Sequence, residues 1–430
     1  MKFKSLNKKS KKVKFSEAVI SGLAPDKGLY FPDKYEKLNI DFYNNIEKYS
    51  DIDIAYKVLS PFVGDCIPKS ILKKIISETL SFKFPIIPIE KNICTMELFH
   101  GPTFAFKDVG ARFMARCLGF LNSNKNNNVT VLVATSGDTG GAVADGFLGV
   151  KGINVVILYP KGKVSDIQEK QITTLGKNIT AIEVNGTFDD CQEMVKSAFL
   201  DQEIISNQTL TSANSINIAR WLPQMLYYFF AFKLLKNKNK PIVISVPSGN
   251  FGNLCAGILS KKIGLPIDHF IASTNINDVI PIYLSNGKYT SKKSKATISN
   301  AMDVGDPSNF VRILKIYDNN LDKLKKDLSS YSFNDLKTIN TIKEVYDINK
   351  YILDPHGAVG YLGLKKYLKY NPNNFGLFME TAHPVKFSKI VEKVIDKKIP
   401  IPERLKRSIV KKKKSIVISK YEELRNFLIV

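Results

Sequence analysis

Twice in this chain an apolar run of strand length ends in a glycine-bearing turn and passes into a helix, and this unit restricts the available folds more than any other feature. The first is Val129 to Ala134, followed by Thr135-Ser136-Gly137-Asp138-Thr139-Gly140-Gly141. The second is Ile242 to Val246, followed by Pro247-Ser248-Gly249-Asn250-Phe251-Gly252-Asn253. An apolar strand that feeds a helix belongs to an α/β sheet with crossover helices. The turn between them aims backbone N–H groups of the helix start at one point, which suits an anion. Neither turn ends in Gly-Lys-Ser/Thr and neither carries Gly-x-Gly-x-x-Gly, so a triphosphate loop and a dinucleotide fingerprint are both unsupported. Two such turns suggest two anionic groups bound close together.

The rest of the chain fits around these units. Residues 1–92 read as a helical extension. Within it Phe15 to Leu23 forms a short amphipathic helix ended by glycine, and Ile54 to Leu59 and Ile71 to Leu80 carry helical spacing. From residue 93 strands and helices alternate, with strands over Ile93–Phe99, Ile153–Tyr159, Ile179–Val184, Phe270–Ser273 and Phe375–Met379. The spacing predicts helices over Asp108–Leu121 and Asp189–Leu200, and one starting at Ala142 with Asp138 as a candidate cap. A single long helix is expected over Ser215–Phe232, with Asn217, Arg220 and Gln224 on its polar face, and another over Leu321–Asp347. Asn122–Asn128 reads as a polar loop, Asn237–Lys240 as a linker, and 401–430 as a basic tail with some helix. Two lobes, 93–236 and 237–430, are therefore expected behind the extension.

Charge and cysteines exclude several function classes. The net charge of +23 comes mostly from dispersed lysines, without the basic-aromatic interleaving of a single-strand binder, so no nucleic-acid partner is expected. No run of 18 apolar residues occurs, so no membrane span is expected. Five scattered cysteines make no C-x-x-C pair, which points to a reducing, cytoplasmic setting with neither a metal site nor a disulfide frame. The basic N-terminus lacks the apolar core of a secretory signal.

One lysine stands out. Lys107 ends the run Leu98-Phe99-His100-Gly101-Pro102-Thr103-Phe104-Ala105-Phe106 and opens a helix. A cation is unfavourable at a helix N-terminus, and apolar neighbours would lower its pKa and make it nucleophilic. By itself it reads more readily as a surface lysine in a first helical turn.

The ordered motifs decide between those readings. His100 to Asp108, Ala134 to Gly140, Asn214-Ser215-Ile216-Asn217, Ser245 to Asn253, Ala301-Met302-Asp303, Pro307 to Phe310, Asp354-Pro355-His356 and Thr381 to Phe387 resemble the threonine synthases. Those are pyridoxal-phosphate enzymes of the tryptophan-synthase-β-like fold type, and Gly22 to Asp26 resembles their longer branch with an N-terminal extension. The resemblance implies a two-lobed PLP-dependent α/β fold behind a helical N-terminal extension. It implies a lyase that converts O-phospho-L-homoserine and water to L-threonine and phosphate, as a cytoplasmic monomer. Residue by residue, it implies that Lys107 is the Schiff-base lysine and moves protons. Gly249, Asn250, Phe251, Gly252 and Asn253 hold the cofactor phosphate, and Thr381 faces the pyridine nitrogen. Ser136, Gly137, Asp138 and Thr139 bind the substrate carboxylate, while Asn214, Ser215 and Arg220 bind its phosphate. The histidines His100, His356 and His383 are expected to play local structural parts. Alternatives are a related phospho-lyase that releases a 2-oxo acid, a threonine or serine dehydratase without a second anion site, and a cofactor-free nucleic-acid-binding descendant.

Overall fold

The computed structural model describes residues 1–123, 128–236 and 239–429. Most of the polar loop expected over 122–128, and the first half of the linker at 237–240, lie outside the described residues.

Strands β1 (Phe3–Ser5) and β2 (Tyr30–Pro32) pair as a short antiparallel ribbon. The extension is thus not wholly helical, although its longer elements are the helices over Phe15–Ser21, Asp51–Val63 and Lys69–Thr79. Gly22 ends the first of these with φ +69°, a conformation that favours glycine. The extension is not a separate body either. Phe42 and Tyr43 pack against Phe229, and the Tyr43 hydroxyl donates to the Ile263 carbonyl at 2.7 Å.

Two further sheets carry the main body. In chain order the strands are β3 (Ile86–Glu90), β4 (Ile93–Glu97), β5 (Val129–Ala134), β6 (Ile153–Pro160), β7 (Ile179–Val184), β8 (Thr209–Ser212), β9 (Ile242–Pro247), β10 (His269–Thr274), β11 (Leu328–Ser332), β12 (Phe375–Glu380) and β13 (Ile416–Ile418). The larger sheet runs β11-β10-β9-β12-β4-β3, parallel except at the β3–β4 edge. The smaller runs β13-β7-β6-β5-β8 and is parallel throughout. Central strands such as β5 and β10 are buried along their whole length, as sheets covered on both faces require.

The expected lobes are interleaved rather than divided near residue 236. β4 joins the larger sheet, and β13, close to the C-terminus, adds to β7 of the smaller one. Local patterns carry no information on such distant pairing.

Several helix expectations need correction. The helix after β5 begins at Asp138, not Ala142, so Asp138 is its first residue and not its cap. The helix expected over 215–232 starts only at Ile218, because the Asn217 side chain accepts the Ala219 N–H and caps it. It then tightens into a 3-10 turn at Leu222-Pro223-Gln224 before resuming over Met225–Leu235, since proline cannot donate the helical hydrogen bond. The segment 321–347 divides into two helices, Leu321–Asp327 and Asp335–Asn349, with β11 between them.

Candidate active site

The C-terminal ends of β4, β5, β8, β9 and β12 meet, and direct bonds knit their loops together. Leu98 after β4 donates to the Glu380 carbonyl that ends β12. The Asn214 amide after β8 donates to the Ala134 carbonyl that ends β5. Ligands of open α/β sheets bind at such carboxyl ends.

Lys107 is the first residue of the helix Lys107–Asn122. Ala105 bridges to Ala382, and the Phe106 N–H donates to the Thr381 carbonyl at 2.9 Å, so this lysine is pinned beside Thr381. The Tyr227 hydroxyl donates to the Phe106 carbonyl. Phe104 adopts φ +59°, and its ring stands edge-on to His383. The Lys107 residue as a whole is half-buried. Burial is the main cause that lowers its pKa from 10.5 to about 8; Asp138 opposes this, and Arg220 and Lys386 add to it. An amine of that kind is partly neutral, and so nucleophilic, near neutral pH.

The Ser136–Thr139 turn follows β5. The Thr135 hydroxyl accepts the N–H groups of Gly137 at 3.0 Å and Gly140 at 2.8 Å and folds the turn over itself. Gly137 takes φ +132°, and a Cβ there would lie 2.4 Å from the Gln168 side chain. Asp138 is buried, and its carboxylate accepts from Gln168 Nε2 at 2.9 Å and pairs with Lys386 at 2.6 Å. Burial opposes its ionisation, but Lys386 and then Lys107 outweigh that and hold it well below the usual carboxylate range. Asp138 therefore faces Lys386, while Ser136 and Thr139 remain half-buried at the open side of the turn.

Arg220 is buried, and burial lowers its pKa to about 10. Its Nη1 donates to the Lys107 carbonyl at 3.3 Å. Among the described residues it forms no ion pair, and its buried Nε has no partner. The backbone at Arg220 approaches so closely that a Cβ on Gly110 would sit 2.5 Å from the Arg220 carbonyl. Asn214, in the loop that leads into the helix Ile218–Trp221 carrying Arg220, has its buried Oδ1 unpartnered.

The second turn, after β9, begins the helix Gly252–Lys262. Phe251 caps it in the left-handed region at φ +60°, held by its ring against Phe310 at 5.7 Å. This conformation points the following N–H groups outward from the helix start. A Cβ on Gly249 would lie 2.7 Å from the Ala301 carbonyl, so only glycine fits there. The Asn250 side chain accepts from Ser308, and Asn253 Oδ1 accepts from the Tyr228 hydroxyl at 2.6 Å, leaving the buried Asn253 Nδ2 unpartnered. Ser215, expected on the substrate phosphate, lies against this turn: its Cβ is 3.2 Å from where a Gly252 Cβ would stand, and its hydroxyl accepts from Asn309 at 2.8 Å.

Thr381 is buried at the end of β12. The preceding Glu380 accepts the Asp354 N–H at 2.7 Å, and burial, with Asp354 beside it, pushes its pKa well above the ordinary value. The histidines are local braces. His383 accepts the Val385 N–H at 3.1 Å, and burial lowers its pKa to about 4. His356 bonds Asp354 through Nδ1 and accepts the Ala301 N–H at 3.2 Å, which fixes the strand of backbone over Gly249. His100 bonds Glu97.

Three residues of the site escaped sequence reasoning. Lys386, which lies in the Thr381–Phe387 motif but was given no role there, and Gln168 hold Asp138 from distant segments. Arg312, fully buried, donates to the carbonyls of Tyr30, Ser215 and Ile216 and to Asn309 Oδ1, and stacks on Trp221. It thereby ties the extension to the Ser215 loop. Pro307-Ser308-Asn309-Phe310 was the only sequence signal near it.

The residues present fit an anionic, carbonyl-bearing cofactor. An amine with a lowered pKa lies near Asp138 of the first turn, and Asn253 Nδ2 and Arg220 Nε are buried donors without partners. Among the described residues no cluster of His, Cys, Asp and Glu has the arrangement of a metal site.

Comparison with known proteins agrees with this geometry. Residues 88–374 match the family model of pyridoxal-phosphate dependent enzymes, residues 2–80 the threonine synthase N terminus, and residues 357–428 the threonine synthase C-terminal model. The chain is 48% identical over 411 residues to a threonine synthase of Buchnera aphidicola subsp. Baizongia pistaciae, covering 95% of each. It superposes on the crystal structure of Escherichia coli threonine synthase with a TM-score of 0.93 at 40% identity, covering 100% of this chain and 99% of that one. A PLP-bound threonine synthase from Brucella melitensis gives 0.93 at 31% identity, with the same coverage.

Proposed function

The chain belongs to the threonine synthase family of pyridoxal-phosphate enzymes, and from that premise we propose how its residues divide the work. The substrate is O-phospho-L-homoserine, and the products are L-threonine and phosphate. Lys107 holds the cofactor through its amine. Gly249, Asn250, Phe251, Gly252 and Asn253 form the cradle for the cofactor phosphate, with backbone N–H groups of the helix start and Asn253 Nδ2 as donors. Thr381 places a neutral hydroxyl at the pyridine nitrogen. When bound, pyridoxal phosphate supplies an electron sink for carbanion character next to the substrate amine.

The remaining steps fall to the chain's own groups. Ser136, Gly137 and Thr139 give the substrate carboxylate N–H and hydroxyl donors, with Asp138 turned to Lys386 behind them. Asn214, Ser215 and Arg220 hold the substrate phosphate. Arginine suits this because its planar fork bonds two oxygens at once. Anchored at both ends, the substrate presents its α- and β-carbons to Lys107, whose released amine takes the α-proton and then a β-proton. A pKa of about 8 lets one amine accept and return protons near neutrality. The phosphate leaves while held by Arg220, and water adds at the β-carbon.

One observation carries this reading: Arg220 is a buried cation beside Lys107 with no carboxylate partner and an unpartnered Nε. A buried charge of that kind is costly unless an anion meets it. A threonine or serine dehydratase needs no second anion there.

The resemblance to the family implies a monomer as the working unit, and sedimentation would test it. The five cysteines are free thiols, which suits the reducing cytoplasm. The deciding experiment incubates the holoenzyme with O-phospho-L-homoserine and measures threonine, phosphate and 2-oxobutyrate. Threonine with equal phosphate is expected, and 2-oxobutyrate as the main product would replace this reading with a phospho-lyase. Borohydride reduction and peptide mapping should place the cofactor on Lys107.

A further inference from the structure

Lys386 lies inside the site, yet no step above uses it. It stands on the 3-10 turn Pro384–Phe387 that follows Thr381, and its side chain is wholly buried. Its ammonium meets Asp138 Oδ1 at 2.6 Å and donates to the Thr103 carbonyl at 2.9 Å. Gln171 Nε2 donates to the same carbonyl at 3.0 Å. Thr103 in turn gives its N–H and hydroxyl to Asp108, which adjoins Lys107. One ammonium therefore joins three segments: the stretch leading into Lys107, the first residue of the helix after the Ser136 turn, and the turn after Thr381. Burying two ions takes them out of water at a cost that their attraction barely offsets, so stability alone does not explain the pair.

We infer that Lys386 is a positioning residue of the reaction: by pairing with Asp138 it draws that carboxylate behind the Ser136–Thr139 turn and presents Lys107 with a paired negative charge instead of a bare one. The inference rests on the reading of Lys107 as the cofactor lysine and of that turn as the carboxylate cradle. Asp138 accepts from both Lys386 and Gln168, so the turn can offer donors alone to an incoming anion. Without Lys386 the bare carboxylate would repel the substrate and hold Lys107 protonated. The other charged or titratable groups around this cluster are Arg220, Asp108, Tyr227 and His383. Of these, Arg220 is a fixed cation and His383 is neutral above pH of about 4.

The test follows the rate at which cofactor-stripped, full-length protein takes up pyridoxal phosphate, read by absorbance against pH. That rate tracks the neutral fraction of the Lys107 amine. Lys386→Met should move the midpoint up by about one pH unit, the size of effect a nearby charge exerts, and slow uptake at pH 7 by about tenfold. Asp138→Asn should move it down by a similar amount. The double variant Lys386→Met/Asp138→Asn should return toward wild type, and Lys386→Arg should stay near it. KM for O-phospho-L-homoserine should rise in Lys386→Met and recover in Lys386→Arg. If Lys386→Met does not fold, the Asp138→Asn and double-variant midpoints decide. Midpoints that coincide in all folded variants, with the cofactor mapped to Lys107, would overturn this inference alone. Cofactor mapped to another lysine would overturn the functional reading and this inference with it.

Discussion

Replacing Lys107 by methionine should stabilise the cofactor-stripped protein at neutral pH. The lysine's pKa falls from 10.5 to about 8 on folding, chiefly because burial strips water from the ammonium. At 1.36 kcal/mol per unit, that drop corresponds to roughly 3 kcal/mol of strain. The residue as a whole is half-buried, so about 2 kcal/mol is the better expectation. The unfolded chain binds more protons than the native one between about pH 8 and 10.5, so the native state gains stability as pH rises through that window, and the full penalty applies below it. Methionine has similar length and no charge, so it removes the penalty at pH 7 and should match wild type near pH 10.5. An unfolding entropy of roughly 2.1 cal/mol/K per residue gives about 0.9 kcal/mol/K for 430 residues, hence a melting shift of about 2 °C. Melting curves of both stripped proteins at pH 7 and pH 10.5 check this. Saturating pyridoxal phosphate should invert the order at pH 7, because only wild type can hold the cofactor covalently. A variant that melts at or below wild type at pH 7, or a gap that does not close with pH, would refute the argument that this amine is strained by burial.

Other outcomes follow from the same geometry. Arg220→Ala should cut kcat/KM for O-phospho-L-homoserine by about 10²-fold or more, the cost of leaving a buried anion without its charged donor, and Arg220→Lys should recover only part of it; steady-state kinetics would show this. Gly357→Ala would set a Cβ 1.4 Å from Glu380 Oε2, so it should lower the melting temperature by an overpacking cost of about 1–3 kcal/mol and weaken cofactor binding through Thr381. Arg312→Met would strand the carbonyls of Tyr30, Ser215 and Ile216, each worth about 1–3 kcal/mol when left without a donor, and should raise KM through the loosened Ser215 loop.

The parts legible in the sequence were those whose signal is local. β5 and β7 fall where their mainly apolar runs predict, because strands covered on both faces are mostly apolar even though Thr130 and Glu183 are buried within them. The Gly-turn after β9 was visible because Gly249 has no room for a Cβ and the helix must start just beyond it. Lys107 drew notice through its neighbours, yet those neighbours did not set it apart from a surface lysine. The break at Pro223 was written in the residue itself but hidden by apolar spacing that continues through it. The short strand β11, with its Ser-rich exposed edge, had too weak an alternation to interrupt two charged helices.

The sequence by itself determined the parallel α/β plan, the two anion-binding turns and the order of the motifs that mark the family. Strand, turn and helix each obey rules written over a few adjacent residues. Only the tertiary structure decided that β13 closes the smaller sheet, that Arg312 joins the extension to the Ser215 loop, and that Lys386 takes up Asp138. Each of those is a contact between segments far apart in the chain. A lone lysine carries no mark of its partner, and only packing that excludes water tells a buried ammonium from a solvated one.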